Sequence, residues 1–381
     1  MNGIAGKRGS MLAIGILALL PVTAADRGEK TWEIGNVTGA LGGSYASMQI
    51  DQSGNLHVAY IAEAVGMLQY SFWDHNVAKW FTMDVDRGSG FCALALDSKQ
   101  RPHISYPLFG KLKHAYWDGT IWQKETIQLP SKDVQFYTSI AIDAKDNPTI
   151  SFYEHIAASE EMTIRLRTVT RNGSVWELST VDQDKGSGKF NSVAVDSAGR
   201  PRIAYANVQY ETCSLRYAEW NGTRWVKEIL EGAGIPGTYR QAVTLLLDKK
   251  GNPHLSYFDV LSGIAKYATR VNGKWQVHSV EPVGAVAYPD RNGMALDDDG
   301  NPYISYYDSK NGVLKLAHLE GQRWLSEVVD TGYAGFTSSL LIRNGEIWLT
   351  YSGGANEPLR FARRRLAQPA ARQPEARPPV K

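Results

Sequence analysis

The chain has 381 residues, 43% of them hydrophobic and 21% charged, with a formal net charge of +2 and two cysteines. That composition fits one large, core-bearing all-β domain rather than several small ones. Two cysteines exclude a disulfide framework, and no Cys/His metal spacing is present.

The chain opens with Lys7 and Arg8, an apolar run from Met11 to Val22, and the small residues Thr23, Ala24 and Ala25. This pattern predicts a secretory signal peptide over 1–25, too short for a membrane span, and hence export to the periplasm or the extracellular space. A strand is expected next, at Thr31-Trp32-Glu33-Ile34.

From there a unit of 46 to 53 residues recurs. Its first strand ends at Asp51, Asp97, Asp143, Asp196, Asp248 and Asp297, with Arg343 in the seventh place. A turn such as Asp248-Lys-Lys-Gly251-Asn-Pro253 follows: the carboxylate can accept amide hydrogens ahead of it, and glycine tolerates positive φ. Gln100 and Asp146 stand where other copies have glycine. The second strand carries an aliphatic residue and, two places on, Tyr60, Tyr106, Phe152, Tyr205, Tyr257, Tyr306 or Tyr351. Period two puts both on one face, so these seven aromatics are expected to pack between sheets. His57, His103 and His254 share a framework position and read as structural. The third strand carries Lys113, Arg165, Arg216, Lys266, Lys315 and Arg360, read as cross-strand structure. Turns such as Asp118-Gly119, Asn172-Gly173, Asn221-Gly222 and Asn272-Gly273 then lead to a fourth strand opening with tryptophan. The six tryptophans are Trp80, Trp122, Trp176, Trp225, Trp275 and Trp324. The seventh copy has three strands, and Trp32 supplies its fourth from the other end of the chain. The count predicts a seven-bladed β-propeller of four-stranded antiparallel blades over 29–364, closed by the N-terminal strand.

Residues 365–381 are rich in Pro, Ala and Arg without periodicity, which predicts a disordered tail. From Arg363 onward the charge is +5 and the leader adds +2, so the propeller itself carries about −5. No basic stripe marks the blades, so no nucleic acid is expected. Asp297-Asp298-Asp299 lacks the alternating ligand pattern of a calcium loop, and no metal or cofactor is expected.

In an antiparallel blade, the turns after strands one and three share one end, and the loops after strands two and four share the other. The second set varies, and variable loops on a rigid scaffold are where binding concentrates. Polar and aromatic departures gather there on blades three to six. The candidate ligand-binding residues are Glu154, His155, Tyr239, Arg240, Asp259, Asp290, Arg291 and Asp308. Arg240 and Arg291 could clamp a carboxylate or sulfate, or pair with Asp259, Asp290 or Asp308. Tyr45, Phe91, Tyr137 and Phe190 each stand six residues before the repeat aspartate and are expected to line or plug the channel.

Asp118-Gly-Thr-Ile-Trp122, Asn172-Gly-Ser-Val-Trp176 and Asn221-Gly-Thr-Arg-Trp225 resemble the Asp-box turns of sialidase-type propellers. The serine two places before the aspartate is absent, no sialidase arginine triad is evident, and sialidases have six blades. Over Thr31 to Arg364 the repeats are more similar to secreted bacterial propellers of the sialidase-repeat-like superfamily. That resemblance implies a lectin, a glycoside hydrolase or a polysaccharide lyase, and carries over no catalytic residue. The leading expectation is therefore a secreted, monomeric binding or scaffold propeller for a glycan or another cell-envelope component. A carbohydrate-active enzyme is the alternative. It would use Glu154 with Asp259 or Asp308 as an acid/base pair, or His155 with a tyrosine to abstract a proton. A protein-interaction hub is the second alternative.

Overall fold

The computed structural model describes residues 31–366 apart from 38–41, 131–132, 158–161, 209–212, 236–242, 260–261, 285–290, 333 and 354–356. The leader and the tail lie outside the described residues. Seven four-stranded antiparallel sheets form a ring, and the seven-bladed β-propeller is the observed fold. Blade one consists of Ser44–Ile50, Leu56–Ala62, Met67–Asp74 and Lys79–Arg87. Blade seven takes Ser338–Arg343, Glu346–Ser352 and Leu359–Arg365, and Glu33–Asn36 pairs antiparallel with the last of these to close the ring.

The repeat aspartates act as hairpin clamps. Asp248 Oδ1 accepts from the amides of Lys250 and Asn252, each at 2.8 Å, and the other copies do the same. The turn requires a left-handed residue, which Gly251 provides at φ +82°. Gln100 and Asp146 adopt the same conformation at φ 62° and 65°. Both reach the neighbouring blade's turn: Gln100 accepts from the Gln52 amide, and Asp146 from the Ser98 amide and hydroxyl. Those bonds offset the strain of a non-glycine residue there.

The strand-two aromatics are buried, with Tyr60, Tyr106, Phe152, Tyr205, Tyr257, Tyr306 and Tyr351 each at most 1% exposed. A buried phenol needs a partner, and the preceding blade supplies it. Tyr106 donates to Asp86 at 2.6 Å, Tyr205 to Asp182 at 2.8 Å, Tyr257 to Glu231 at 2.8 Å, and Tyr351 to Asp330 at 2.7 Å, while Tyr306 donates to Glu281. The strand-three cation opposite each tyrosine, Lys113, Arg216, Lys266, Arg360 or Lys315, binds the same carboxylate. Each acid stands six residues after the blade's tryptophan and directly after a β-bulge at Val85, Val181, Leu230, Val280 or Val329. The bulge keeps an apolar residue toward the core and re-aims the next residue at the adjoining blade.

Two boundaries differ. In blade one Gln69 takes the cation's place and bridges Tyr60 to Asp84. In blade three the residue opposite Phe152 is Arg167, not Arg165 as the sequence pattern suggested; Arg165 stands opposite Glu154.

The small residues on the reverse face of strand two also meet the next blade. Ser105 bonds Thr138 at 2.9 Å, Ser256 bonds Asn292 at 2.9 Å and Ser305 bonds Ser338 at 2.9 Å. Where strand two has alanine, the partner is apolar: Ala59 packs with Cys92, and Ala204 with Val243. Cys92 is thus a packing residue, and both Cys92 and Cys213 are unbridged and buried.

The outer-strand tryptophans are half-buried rather than buried between blades. Trp122, Trp176, Trp275 and Trp324 lie edge-on against a ring on strand three of the blade before, as Trp275 on Tyr217 at 5.2 Å and Trp324 on Tyr267 at 5.5 Å, while Trp80 is tilted on Phe361 and Trp225 donates to Ser179.

Candidate functional site

The loop-side mouth of the axis is built by the first residues of each strand one. Position six before the repeat turn holds Tyr45, Phe91, Tyr137 and Phe190 in blades one to four, Arg291 in blade six and Thr337 in blade seven. The blade-five residue lies outside the described residues. The four rings form a continuous arc, with centroid separations of 4.1 Å for Tyr45–Phe91, 4.4 Å for Phe91–Tyr137 and 4.4 Å for Tyr137–Phe190. Tyr45 and Phe190 are left-handed, at φ 58° and 52°. In blades one, three and four the strand-one ladder is interrupted at this place. The aromatic residue therefore leaves the sheet for the axis, and the ring contacts offset the backbone strain.

Arg291 continues the circle. Its Nη1 reaches across the axis to the carbonyl oxygens of Ala46 at 3.5 Å and Cys92 at 3.3 Å, in blades one and two. Burial pushes its pKa below the ordinary arginine value. Below it, an axial cavity of about 130 Å³ is lined by strand-one residues of all seven blades, including Ser47, Ser139, Ser192, Thr244 and Ser339. Ser139 and Ser192 accept the amides of Val193 and Leu245, each at 3.1 Å. A hydroxyl that accepts in this way keeps its own O–H to donate.

The other candidates lie farther out. Glu154 is 1% exposed and is held by Arg167 Nη1 at 2.6 Å, with Arg165 at 3.8 Å. Among the described residues, its Oε2 and the Nε atoms of both arginines have no hydrogen-bond partner. His155 Nδ1 lies 3.4 Å from Asp133, and its ring is 5.8 Å from Tyr153, which is 5.7 Å from Tyr137. Burial pushes the His155 pKa down despite Asp133. Asp259 accepts from Ser262 and meets Lys266 at 2.9 Å; Asp308 accepts from Asn311 and meets Lys315 at 2.9 Å. Burial raises both aspartates, but these bonds outweigh it, so both titrate below the usual carboxylate range. Tyr239, Arg240 and Asp290 lie outside the described residues.

The structure therefore brings Arg291 and the aromatic arc together. It distributes Glu154, Asp259 and Asp308 over blades three, five and six, each within its own ion pair, and none of them lines the mouth or the axial cavity. Among the described residues no group of three His, Cys, Asp or Glu side chains could hold a metal. The inter-blade carboxylates Asp86, Asp182, Glu231, Glu281 and Asp330 were missed in the sequence. Their regular offset from each tryptophan was the available signal.

No family model and no curated protein matches the chain. Several solved structures share its architecture. An ulvan lyase of a polysaccharide lyase family superposes with a TM-score of 0.59 at 10% identity, over 86% of this chain and 95% of its own. The same kind of lyase bound to -[GlcA(1-4)Rha3S]- gives 0.57 at 11% identity, over 86% and 93%. AofleA from Arthrobotrys oligospora gives 0.53 at 15%, over 79% and 90%. The Aleuria aurantia lectin in complex with Fucalpha1-6GlcNAc gives 0.52 at 14%, over 75% and 96%. At these identities the likeness is one of fold: the chain shares the β-propeller architecture of these proteins.

Proposed function

We propose that this chain is an exported propeller that binds a glycan of the cell envelope or its surroundings on the loop face, over the axial mouth. The observation that carries this reading is the arc of Tyr45, Phe91, Tyr137 and Phe190 beside Arg291. Phe91 and Phe190 are buried and support the half-buried rings of Tyr45 and Tyr137, whose open faces could stack on a sugar, and a guanidinium supplies directed donors. The fold neighbours support the same class, since their names describe a lectin holding a fucosyl disaccharide and a lyase holding a glucuronyl-rhamnose polymer. Binding rather than turnover is favoured because Glu154, Asp259 and Asp308 are separated and ion-paired, and the two aspartates titrate too low for a general acid.

The test is a glycan array with the mature chain, repeated with Phe91→Ala plus Tyr137→Ala and with Asn272→Ala on the opposite face. Loss of binding in the first variant alone is expected. Loss in Asn272→Ala alone would move the site to the other face. One observation favours a lyase as the second reading, namely the chain of contacts from Tyr137 through Tyr153 to His155. Unsaturated ends released by the wild type and not by His155→Ala would establish it.

A further inference from the structure

Six strand-three cations are matched. Lys113, Arg167, Arg216, Lys266, Lys315 and Arg360 each contact at least one carboxylate. Arg291 does not: through one nitrogen it meets two backbone carbonyls at 3.3 and 3.5 Å, and no carboxylate contacts it among the described residues. Arginine stays protonated and carries five N–H donors, so two long carbonyl contacts leave most of its capacity and its whole charge unanswered. Arg291 is half-buried, and a charge partly withdrawn from water without a counter-charge is unfavourable. Phe91, Tyr137 and Phe190 line the mouth beside it, which makes the surroundings less polar and an ion pair there correspondingly stronger.

The space it borders has a definite size. The axial cavity, about 130 Å³, has room for several waters or a small oxyanion. It is well below the roughly 300–1,000 Å³ of pockets that enclose whole organic ligands. Ser139 and Ser192 line both this cavity and the mouth above it, as Arg291 does, and both retain a hydroxyl donor.

We propose that the axis is an anion site, in which Arg291, assisted by Ser139 and Ser192, binds one sulfate- or carboxylate-sized group. The group is either a free inorganic anion or the acidic substituent of a ligand seated on the aromatic arc. The second source rests on the glycan reading above; the first does not.

Sodium sulfate is titrated by calorimetry into the wild type and Arg291→Gln at constant ionic strength, with melting temperatures recorded alongside. One saturable sulfate per chain is expected for the wild type, at least tenfold weaker in the variant. Because sulfate stabilises most proteins by exclusion, an equal, non-saturating rise in melting temperature for both proteins, without calorimetric binding, would overturn the proposal. Should Arg291→Gln not fold, wild-type crystals soaked in selenate decide the matter. An anomalous peak within hydrogen-bond reach of the Arg291 guanidinium supports the site, and water alone there overturns it. Displacement of a bound acidic glycan by sulfate assigns the site to the ligand's own acid; sulfate binding alongside the glycan assigns it to a free anion. A glycan bound equally by both proteins, with sulfate bound by neither, leaves the glycan reading in place and removes this one.

Discussion

His103 shows how a framework residue acquires a pH dependence with no catalytic role. Its ring stacks on His114 at 5.2 Å, with the two nitrogens 3.1 Å apart, and Asp97 lies 3.6 Å away. Burial and then His114 push its pKa down to about 4, with Asp97 opposing. The unfolded chain therefore takes up this proton near pH 6.5, before the folded chain does. Stability is fully present above that pH and is lost as pH falls toward 4, at about 1.4 kcal/mol per pH unit from this group. His57, His114 and His254 are lowered in the same direction by burial. Urea unfolding between pH 7 and 4.5 should show a shallower loss of stability in His103→Gln than in the wild type. Parallel slopes would mean that the imidazole pair does not carry this linkage.

Five blade boundaries use the bulge after the fourth-strand tryptophan as a connector, and the boundary into blade three tests whether that connector is modular. There the tyrosine is Phe152, Gln128 rather than an acid stands six residues after Trp122, and Arg167 turns to Glu154 in its own blade. The three changes are mutually consistent: without the acid from blade two, a phenol would lack its acceptor and Arg167 its counter-charge. Glu154→Gln should cost about 3 kcal/mol, because removing one member of a buried pair strands the other. Adding Gln128→Glu and Phe152→Tyr should recover more than half of that loss by rebuilding the arrangement found at the other boundaries. Chemical unfolding of the cycle measures the coupling. If Gln128→Glu shifts stability equally with and without Glu154, Arg167 is not the partner they share.

At the scale of the ring, most of the architecture was readable because closure imposes a strict period on residues whose physics is local. The turn aspartates, the Asn-Gly dipeptides and the strand-opening tryptophans need only their own hairpin to be recognised. The candidate site was less readable because its contacts are not local. Arg291 meets carbonyls 199 and 245 residues away, and the strand-three cations find their acids one blade back. Arg165 was mistaken for Arg167 because the sequence pattern alone does not fix which arginine faces Phe152. Closure itself rests on a short segment. Glu33–Asn36 covers Leu359–Arg365; Glu33 and Arg363 form a two-pronged ion pair at 2.7 and 3.0 Å, and Trp32 lies 4.8 Å from the Arg364 guanidinium. Around that seam Trp73, Trp80, Trp348 and Phe361 make one aromatic cluster spanning blades one and seven. A chain lacking residues 31–36 loses the edge cover of the seventh blade, and an uncovered edge strand recruits other chains. It should melt well below a chain of residues 26–381 and scatter light in proportion to concentration. A synthetic peptide of residues 31–37 added in excess should reverse both effects, because it binds the folded ring and not the unfolded chain. Equal melting temperatures for the chains with and without residues 31–36 would show that blades one to six hold the ring without the seam.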